Sequence, residues 1–348
     1  MTNIKSMTLK ELQTFIVELG EKKFRGTQIF NWLSKGICDF GEMTNIPNSL
    51  KTKLKETAYI ENITCEKAFS SSKGHTKKYL FRLDDNHIIE SVYMKYHYGN
   101  SICISSQVGC GMGCSFCAST IGGLKRNLSA AEMIEQLLKI QSDINERISR
   151  VVIMGSGEPF ENYDELLKFL KIVHSEEGLH MSYRNITVST CGIIPKIIDF
   201  AHQMPQVTLA VSLHASNNSI RDSLMAVNER YPLDKLMKAC KEYIAITNRR
   251  ISFEYSLIQG VNDSEENAGE LGNLLKNMLC HVNLIPLNNV GKSKFKGSNR
   301  SKTEKFKEEL EKYGVNATIR RELGSDIEAA CGQLRRRYSK ETGDREQK

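Results

Sequence analysis

A chain of 348 residues that is 40% hydrophobic and 26% charged has the make-up of a globular protein, with room for one large domain and a small one. No apolar run is long enough to span a bilayer, the first residues lack the apolar core of a signal peptide, and ten cysteines are too dilute for a disulfide scaffold, so the expected compartment is the reducing cytoplasm. The net charge of +7 is uneven, because residues 289–348 hold 16 Lys and Arg against 10 Asp and Glu.

Residues 1–58 read as a small helical accessory domain. Thr8 and Glu11 form a capping box ahead of Leu9, Leu12, Phe15, Ile16 and Leu19, and Gly20 ends that helix. The same apolar period predicts helices over Gly26–Lys35 and Pro47–Thr57. Residues 59–98 turn β-like: Lys78–Leu83 and Ile88–Met94 flank the turn Asp84-Asp85-Asn86 and read as a β-hairpin linker.

Next comes Val108-Gly-Cys-Gly-Met-Gly-Cys-Ser-Phe-Cys-Ala118, in which Cys110, Cys114 and Cys117 stand in the spacing CxxxCxxC. Structural zinc asks for four closed ligands, and a fourth ligand from elsewhere in the chain would complete such a site. Three thiolates alone can hold three irons of a 4Fe-4S cubane and leave the fourth iron open. That arrangement resembles the radical S-adenosylmethionine (SAM) enzymes. Gly109, Gly111 and Gly113 permit a tight wrap of the loop.

From here strands alternate with helices. Strands are predicted at Ser101–Gln107, Arg150–Met154, Asn185–Ser189, Val207–Leu213, Ile251–Leu257 and His281–Pro286. Helices are predicted at Ala130–Gln141, Tyr163–His174, Leu233–Ile246 and Glu265–Met278. Six repeats imply an α/β fold, a partial (β/α)6 barrel rather than a closed eight-fold one. A further strand at Asn316–Arg320 and a helix at Ile327–Leu334 close the pattern.

Polar and flexible groups fall at the carboxyl ends of these strands, where such folds carry their sites. The cysteine loop follows the first strand, Gly155-Ser-Gly-Glu-Pro159 the second, Ser189 and Thr190 end the third, Ser212 and His214 the fourth, and Asn288 follows the sixth. Glu158 offers a carboxylate suited to an ammonium group. No second histidine lies three or four residues from His214, which argues against zinc and for a hydrogen-bonding role beside Ser212. Cys38, Cys65, Cys240 and Cys280 read as buried packing residues, as does Cys191. Lys292, Lys294, Lys296, Arg300, Lys302, Lys305 and Lys307, with Phe295 among them, and Arg335–Arg337 form basic stretches that suit either a nucleic acid or solvent.

Taken together, Cys103-Ile-Ser-Ser-Gln-Val-Gly-Cys110, Gly155-Ser-Gly-Glu-Pro159, Ser212-Leu-His-Ala215, Asn283-Leu-Ile-Pro286 and Ala329-Ala-Cys-Gly-Gln-Leu334 resemble the RlmN/Cfr family of radical SAM methyltransferases of 23S ribosomal RNA. The resemblance implies a 4Fe-4S cluster on Cys110, Cys114 and Cys117 in a core barrel over 99–325. It implies SAM contacts from Gly157, Glu158, Ser189, Ser212, Leu213, His214 and Asn288. Cys331, in a C-terminal segment 326–348, takes the place of the cysteine that is methylated during turnover, Cys103 of the resolving cysteine, and Glu90 of the proton acceptor. Two SAM molecules per turnover are implied, as are an electron donor such as flavodoxin or ferredoxin and a monomeric enzyme. Pro159, Val108 and Pro286 resemble the branch that methylates adenine carbon 2, which also modifies tRNA beside the anticodon; the alternative is the carbon-8 branch that confers antibiotic resistance. Ser156 and Cys191 depart from the family's usual residues.

Overall fold

The computed structural model describes residues 1–72, 74–288, 295–320, 324–329 and 332. Its first 59 residues form helices Leu9–Glu18, Phe24–Ser34 and Asn48–Thr57, tied at the ends by a parallel pair between Thr2–Asn3 and Ala58–Tyr59. The Thr8–Glu11 capping box is present. Leu12, Ile16, Ile29, Phe30, Leu33, Leu50 and Leu54 turn inward, as the sequence period requires, and join a core continuous with that of the barrel. Gly26 lets the first two helices cross closely, since a β-carbon there would lie 2.8 Å from Gln13 Cα.

Ten strands make one sheet, ordered in space as they are in sequence. Three antiparallel strands, Thr64–Ser70, Thr76–Arg82 and Ile88–Tyr96, lead into seven parallel ones: Gly99–Ile104, Arg150–Ile153, Ile186–Thr190, Thr208–Ser212, Ile251–Leu257, Cys280–Pro286 and Ala317–Ile319. The expected (β/α)6 core is therefore present, with Ala317–Ile319 as a seventh parallel strand.

The expected hairpin linker needs correction. It has a third strand, and it continues the barrel sheet rather than bridging two units. The reason is burial: Glu90 to Met94 are all buried, so Ile88–Tyr96 is an interior strand covered on both faces.

Tyr163–His174 and Ile251–Leu257 match their predicted bounds, and most other elements differ by one to three residues. Ala130–Ile144 runs on to Asn145, which takes the left-handed conformation (φ 49°) that ends a helix. Arg300–Lys312 is an amphipathic helix with Thr303, Phe306 and Leu310 buried, where the sequence suggested only a basic stretch. The end of the chain closes differently from expectation: Ser325–Ile327 is a short 3-10 helix, Glu328 takes left-handed backbone (φ 51°), and half of the predicted Ile327–Leu334 helix lies outside the described residues. Among the described residues no helix is long and apolar enough to cross a membrane.

Candidate active site

The cysteine loop is clasped at its base by a short antiparallel pair, Gln107–Val108 with Arg126–Asn127. Gly109 (φ 77°) and Gly113 (φ 67°) take left-handed backbone, and a side chain at Gly109 would collide with the Gly123 carbonyl. Gly111 lies outside that region. Across the loop, Gly155 and Gly157 pack onto the end of the first parallel strand. A β-carbon at Gly155 would meet Ile104 O at 2.6 Å, and one at Gly157 (φ 113°) would meet Gln107 Cβ at 2.7 Å.

These approaches open one cleft of about 910 Å³, open solvent included, at the carboxyl ends of the parallel strands. Cys110, Cys114, Cys117, Gly157, Glu158, Ser189, Ser212 and His214 all line it. Leu213 does not: its side chain is buried in the core and its N–H donates to Glu254 O. Asn288 is buried just beyond Leu287, which does line the cleft.

Burial pushes the Cys110 thiol up to about 12 and the Cys114 thiol higher still, with the neighbouring cysteines adding to the effect. Clustered thiols of this kind need a positively charged partner to ionise. Among the described residues no three His, Cys, Asp or Glu groups converge on a single-ion position. A cubane does not ask for that, because each thiolate meets a different iron. The donor set thus suits a cluster better than one zinc ion.

Glu158 ties two strand ends together. Its Oε1 accepts from Phe160 N (2.9 Å) and its Oε2 from Cys191 N (2.7 Å). Burial nonetheless holds its carboxyl above the usual range. His214 sits in left-handed backbone (φ 56°), and its Nδ1 accepts from Ser256 N at 2.9 Å. The neutral ring therefore carries its proton on Nε2. Burial, with Arg221 adding to it, lowers its pKa to about 3.

Glu90 is withdrawn from solvent. It is buried mid-strand, with Oε2 3.1 Å from Lys78 Nζ, and Lys78 also donates to Glu328 O (3.1 Å). Val92, two residues on and on the same face, pairs in register with Cys103. Cys103 is buried in an apolar cluster with Val92, Met94 and Ala329, against which Met154 packs; Met154 also lines the cleft. Cys331 itself lies outside the described residues, but both its flanks are placed. Ala329 belongs to the Cys103 cluster, and Gly332 lines the cleft with its carbonyl 2.9 Å from Ala118 N, next to Cys117.

Two family models match. One, described as the ribosomal RNA large subunit methyltransferase N-terminal domain, covers residues 2–60; the other, the radical SAM superfamily, covers 104–271. Proteins named probable dual-specificity RNA methyltransferase RlmN are similar end to end. That of Thermoanaerobacter sp. (strain X514) is 54% identical over 98% of this chain and 100% of its own length, and that of Caldanaerobacter subterraneus is 55% identical with the same coverage. The chain belongs to the RlmN family. A crystal structure of a radical SAM methyltransferase from Sphaerobacter thermophilus, 42% identical over 96% of this chain and 99% of its own, superposes with a TM-score of 0.92.

In this RlmN-family chain several site residues were not legible in advance. Arg221 is fully buried and donates to the Cys191 (2.7 Å) and Leu213 (3.3 Å) carbonyls and to Asn228 Oδ1 (2.8 Å), clamping the third and fourth strand ends. Gln107 Oε1 accepts from Glu158 N (2.8 Å). Glu254 and Arg320 also line the cleft. Gln107 lies within the Cys103–Cys110 motif but was not singled out; Arg221, Glu254 and Arg320 carry no local motif, and only the barrel brings the four together.

Some expectations are corrected. Cys38 and Cys65 are exposed rather than buried, because the first lies in the loop after Phe24–Ser34 and the second on the edge strand. Cys191 packs as expected but also forms part of the cleft wall. Ser156 Oγ meets Ser119 Oγ at 3.2 Å. In the basic stretch, Arg300, Lys302 and Lys307 pair with Glu304, Asp263 and Glu311. Lys292, Lys294 and Arg335–Arg337 lie outside the described residues.

Proposed function

We propose that this chain methylates carbon 2 of an adenine in 23S ribosomal RNA and of the adenine beside the anticodon in tRNA, by radical SAM chemistry. The observation that carries this reading is the pair of contacts flanking Cys331, to the Cys103 cluster on one side and to the end of the cysteine loop on the other. Names of relatives as RlmN dual-specificity enzymes support carbon 2 over carbon 8 and support two RNA substrates.

Cys110, Cys114 and Cys117 would hold a 4Fe-4S cluster, which supplies the single electron that turns SAM into a hydrogen-abstracting agent. Glu158 receives the SAM ammonium, and His214 donates from Nε2 into the cleft beside Ser189 and Ser212. Gly157, Leu213 and Asn288 complete the contacts. Adenine carbon 2 is electron-poor and does not attack a methyl cation donor directly, so the methyl group first rests on Cys331 as a thioether. Each turnover consumes two SAM molecules, one as methyl source and one in hydrogen abstraction. Loss of a hydrogen atom from that thioether leaves a methylene radical on Cys331 sulfur, whose carbon bonds to adenine carbon 2; the adduct gives up one electron, and Glu90 takes the ring proton. The Cys103 thiolate then attacks the Cys331 sulfur, which breaks the sulfur–methylene bond, leaves a Cys103–Cys331 disulfide and releases the base, whose methylene takes up a proton to become the methyl group. Flavodoxin or ferredoxin would supply the electrons.

The test is anaerobic reconstitution with SAM and reductant on unmodified 23S ribosomal RNA and tRNA, with nucleoside mass spectrometry. The expected product is 2-methyladenosine. Only 8-methyladenosine would reassign the carbon, and no methyl-adenosine from cluster-loaded protein would sink the proposal.

A further inference from the structure

One polar row in the barrel lumen runs on from Ser189 and Ser212 to residues that have no part in the steps above, Glu254, Asn283 and Thr318. Ser212, Glu254 and Asn283 stand in register on three adjacent parallel strands. Ser189 Oγ lies 3.5 Å from Ser212 Oγ at one end of the row, and Thr318 Oγ1 donates to Asn283 Oδ1 (3.1 Å) at the other.

Glu254 is 4% exposed, and its two oxygens are treated unequally. Oε1 accepts from Asn283 Nδ2 at 2.8 Å. Oε2 forms an ion pair with Arg320 Nη1 at 3.6 Å, beyond hydrogen-bond reach, and among the described residues no group donates to it. Arg320 offsets the charge of that oxygen but leaves its hydrogen-bonding capacity unused, and a donor that enters the cleft can fill it. Glu254 and Ser212 both line the cleft, so that donor comes from the ligand.

The position of Glu254 narrows which part of the ligand this is. Glu158 follows the second parallel strand and Glu254 lies on the fifth, three spacings away, or roughly 14 Å along the sheet. One ammonium group does not serve both. The apolar part of the cleft wall, Met225, Ile285 and Leu287, suits a flat base. The row of hydroxyls and carboxylate suits a sugar, whose vicinal diol offers two donors to a carboxylate.

We propose that Glu254 is a further cofactor-binding residue, whose Oε2 accepts from the ribose hydroxyls of SAM, with Ser212 beside it. The inference rests on the cofactor reading given above.

The test uses full-length, cluster-loaded protein and measures equilibrium binding of SAM, its 2′-deoxy and 3′-deoxy analogues and its 6-deamino analogue, alongside the change SAM makes in the electron paramagnetic resonance spectrum of the reduced cluster. Wild type should prefer SAM to at least one deoxy analogue by about tenfold or more. Glu254→Gln, checked for iron content and melting temperature, should lose about tenfold in SAM affinity and no longer distinguish the two. Equal binding of SAM and both deoxy analogues by wild type overturns the proposal without recourse to any variant. So does a Glu254→Gln protein that keeps the hydroxyl preference, or one that loses only discrimination at the base amine. Cluster-loaded wild type that binds no SAM overturns the cofactor reading itself.

Discussion

Lys78 Nζ and Glu90 Oε2 meet at 3.1 Å between adjacent antiparallel strands, with both side chains buried. Removing one partner leaves a charge stranded in a low-dielectric interior, which costs about 3–5 kcal/mol. Lys78→Met should therefore lower unfolding free energy by that order, read by urea denaturation, and Lys78→Met with Glu90→Leu should recover most of the loss. Because Lys78 also holds Glu328 O, the single variant should speed hydrogen exchange at residues 325–329. An unchanged exchange rate there would argue against Lys78 as the anchor of that segment. Glu90→Gln, in contrast, should bind SAM normally and lose about 10²- to 10⁴-fold in turnover, as expected for a lost general base.

Lys5 and Glu135 tie the N-terminal helical unit to the barrel. Lys5 Nζ lies 2.6 Å from Glu135 Oε1 and donates also to Ile37 O, and the pair is fully buried. Lys5→Met alone should destabilise by about 3–5 kcal/mol, whereas Lys5→Met with Glu135→Leu should come within about 1–2 kcal/mol of wild type. A double variant no more stable than the single one would show that the pair is not the coupling element.

Gly155 and Gly157 let the second strand end pack closely on Ile104–Gln107 by having no side chains. Gly155→Ala places a methyl group 2.6 Å from Ile104 O, on rigid backbone, and Gly157→Ala adds left-handed strain to a comparable clash. Overpacking of this kind costs about 1–3 kcal/mol. It should also move Glu158, so SAM affinity is expected to fall by more than the loss in melting temperature implies. Calorimetry beside SAM titration separates the two; a stability loss with SAM affinity intact would mean the glycines serve packing alone.

How much of this was written locally in the chain differs by element. The capping box at Thr8 and the 3.6-residue period marked helix starts well, because those bonds form within four residues. The cysteine spacing and the strand-end motifs were legible for the same reason. The burial of Glu90 was not legible because it depends on its ion pair with Lys78 and on the segment around Glu328 that Lys78 holds, far away in sequence. Arg300–Lys312 was hidden because its many charges masked a narrow apolar stripe, Thr303, Phe306 and Leu310. Arg221 and Glu254 are single polar residues whose meaning arises only when the barrel closes around them.

His214 makes the last prediction, and its sign is the reverse of a histidine stabilised by a carboxylate. Its folded pKa is lowered from 6.5 to about 3, chiefly by burial. Between those values the unfolded chain binds a proton that the folded chain refuses, so stability falls as the pH drops, by up to about 1.4 kcal/mol per unit. Above pH 6.5 both states are neutral and the effect vanishes. His214→Gln should therefore flatten the acid limb of a stability curve measured by urea denaturation at pH 7, 6, 5 and 4, by close to one proton. SAM affinity of wild type should show no titration from this ring between pH 5 and 8, since Nδ1 keeps accepting from Ser256 N and Nε2 keeps its proton. A variant with the wild-type acid slope would mean that the ring is protonated in the folded protein, and its assignment as a neutral donor would fall with it.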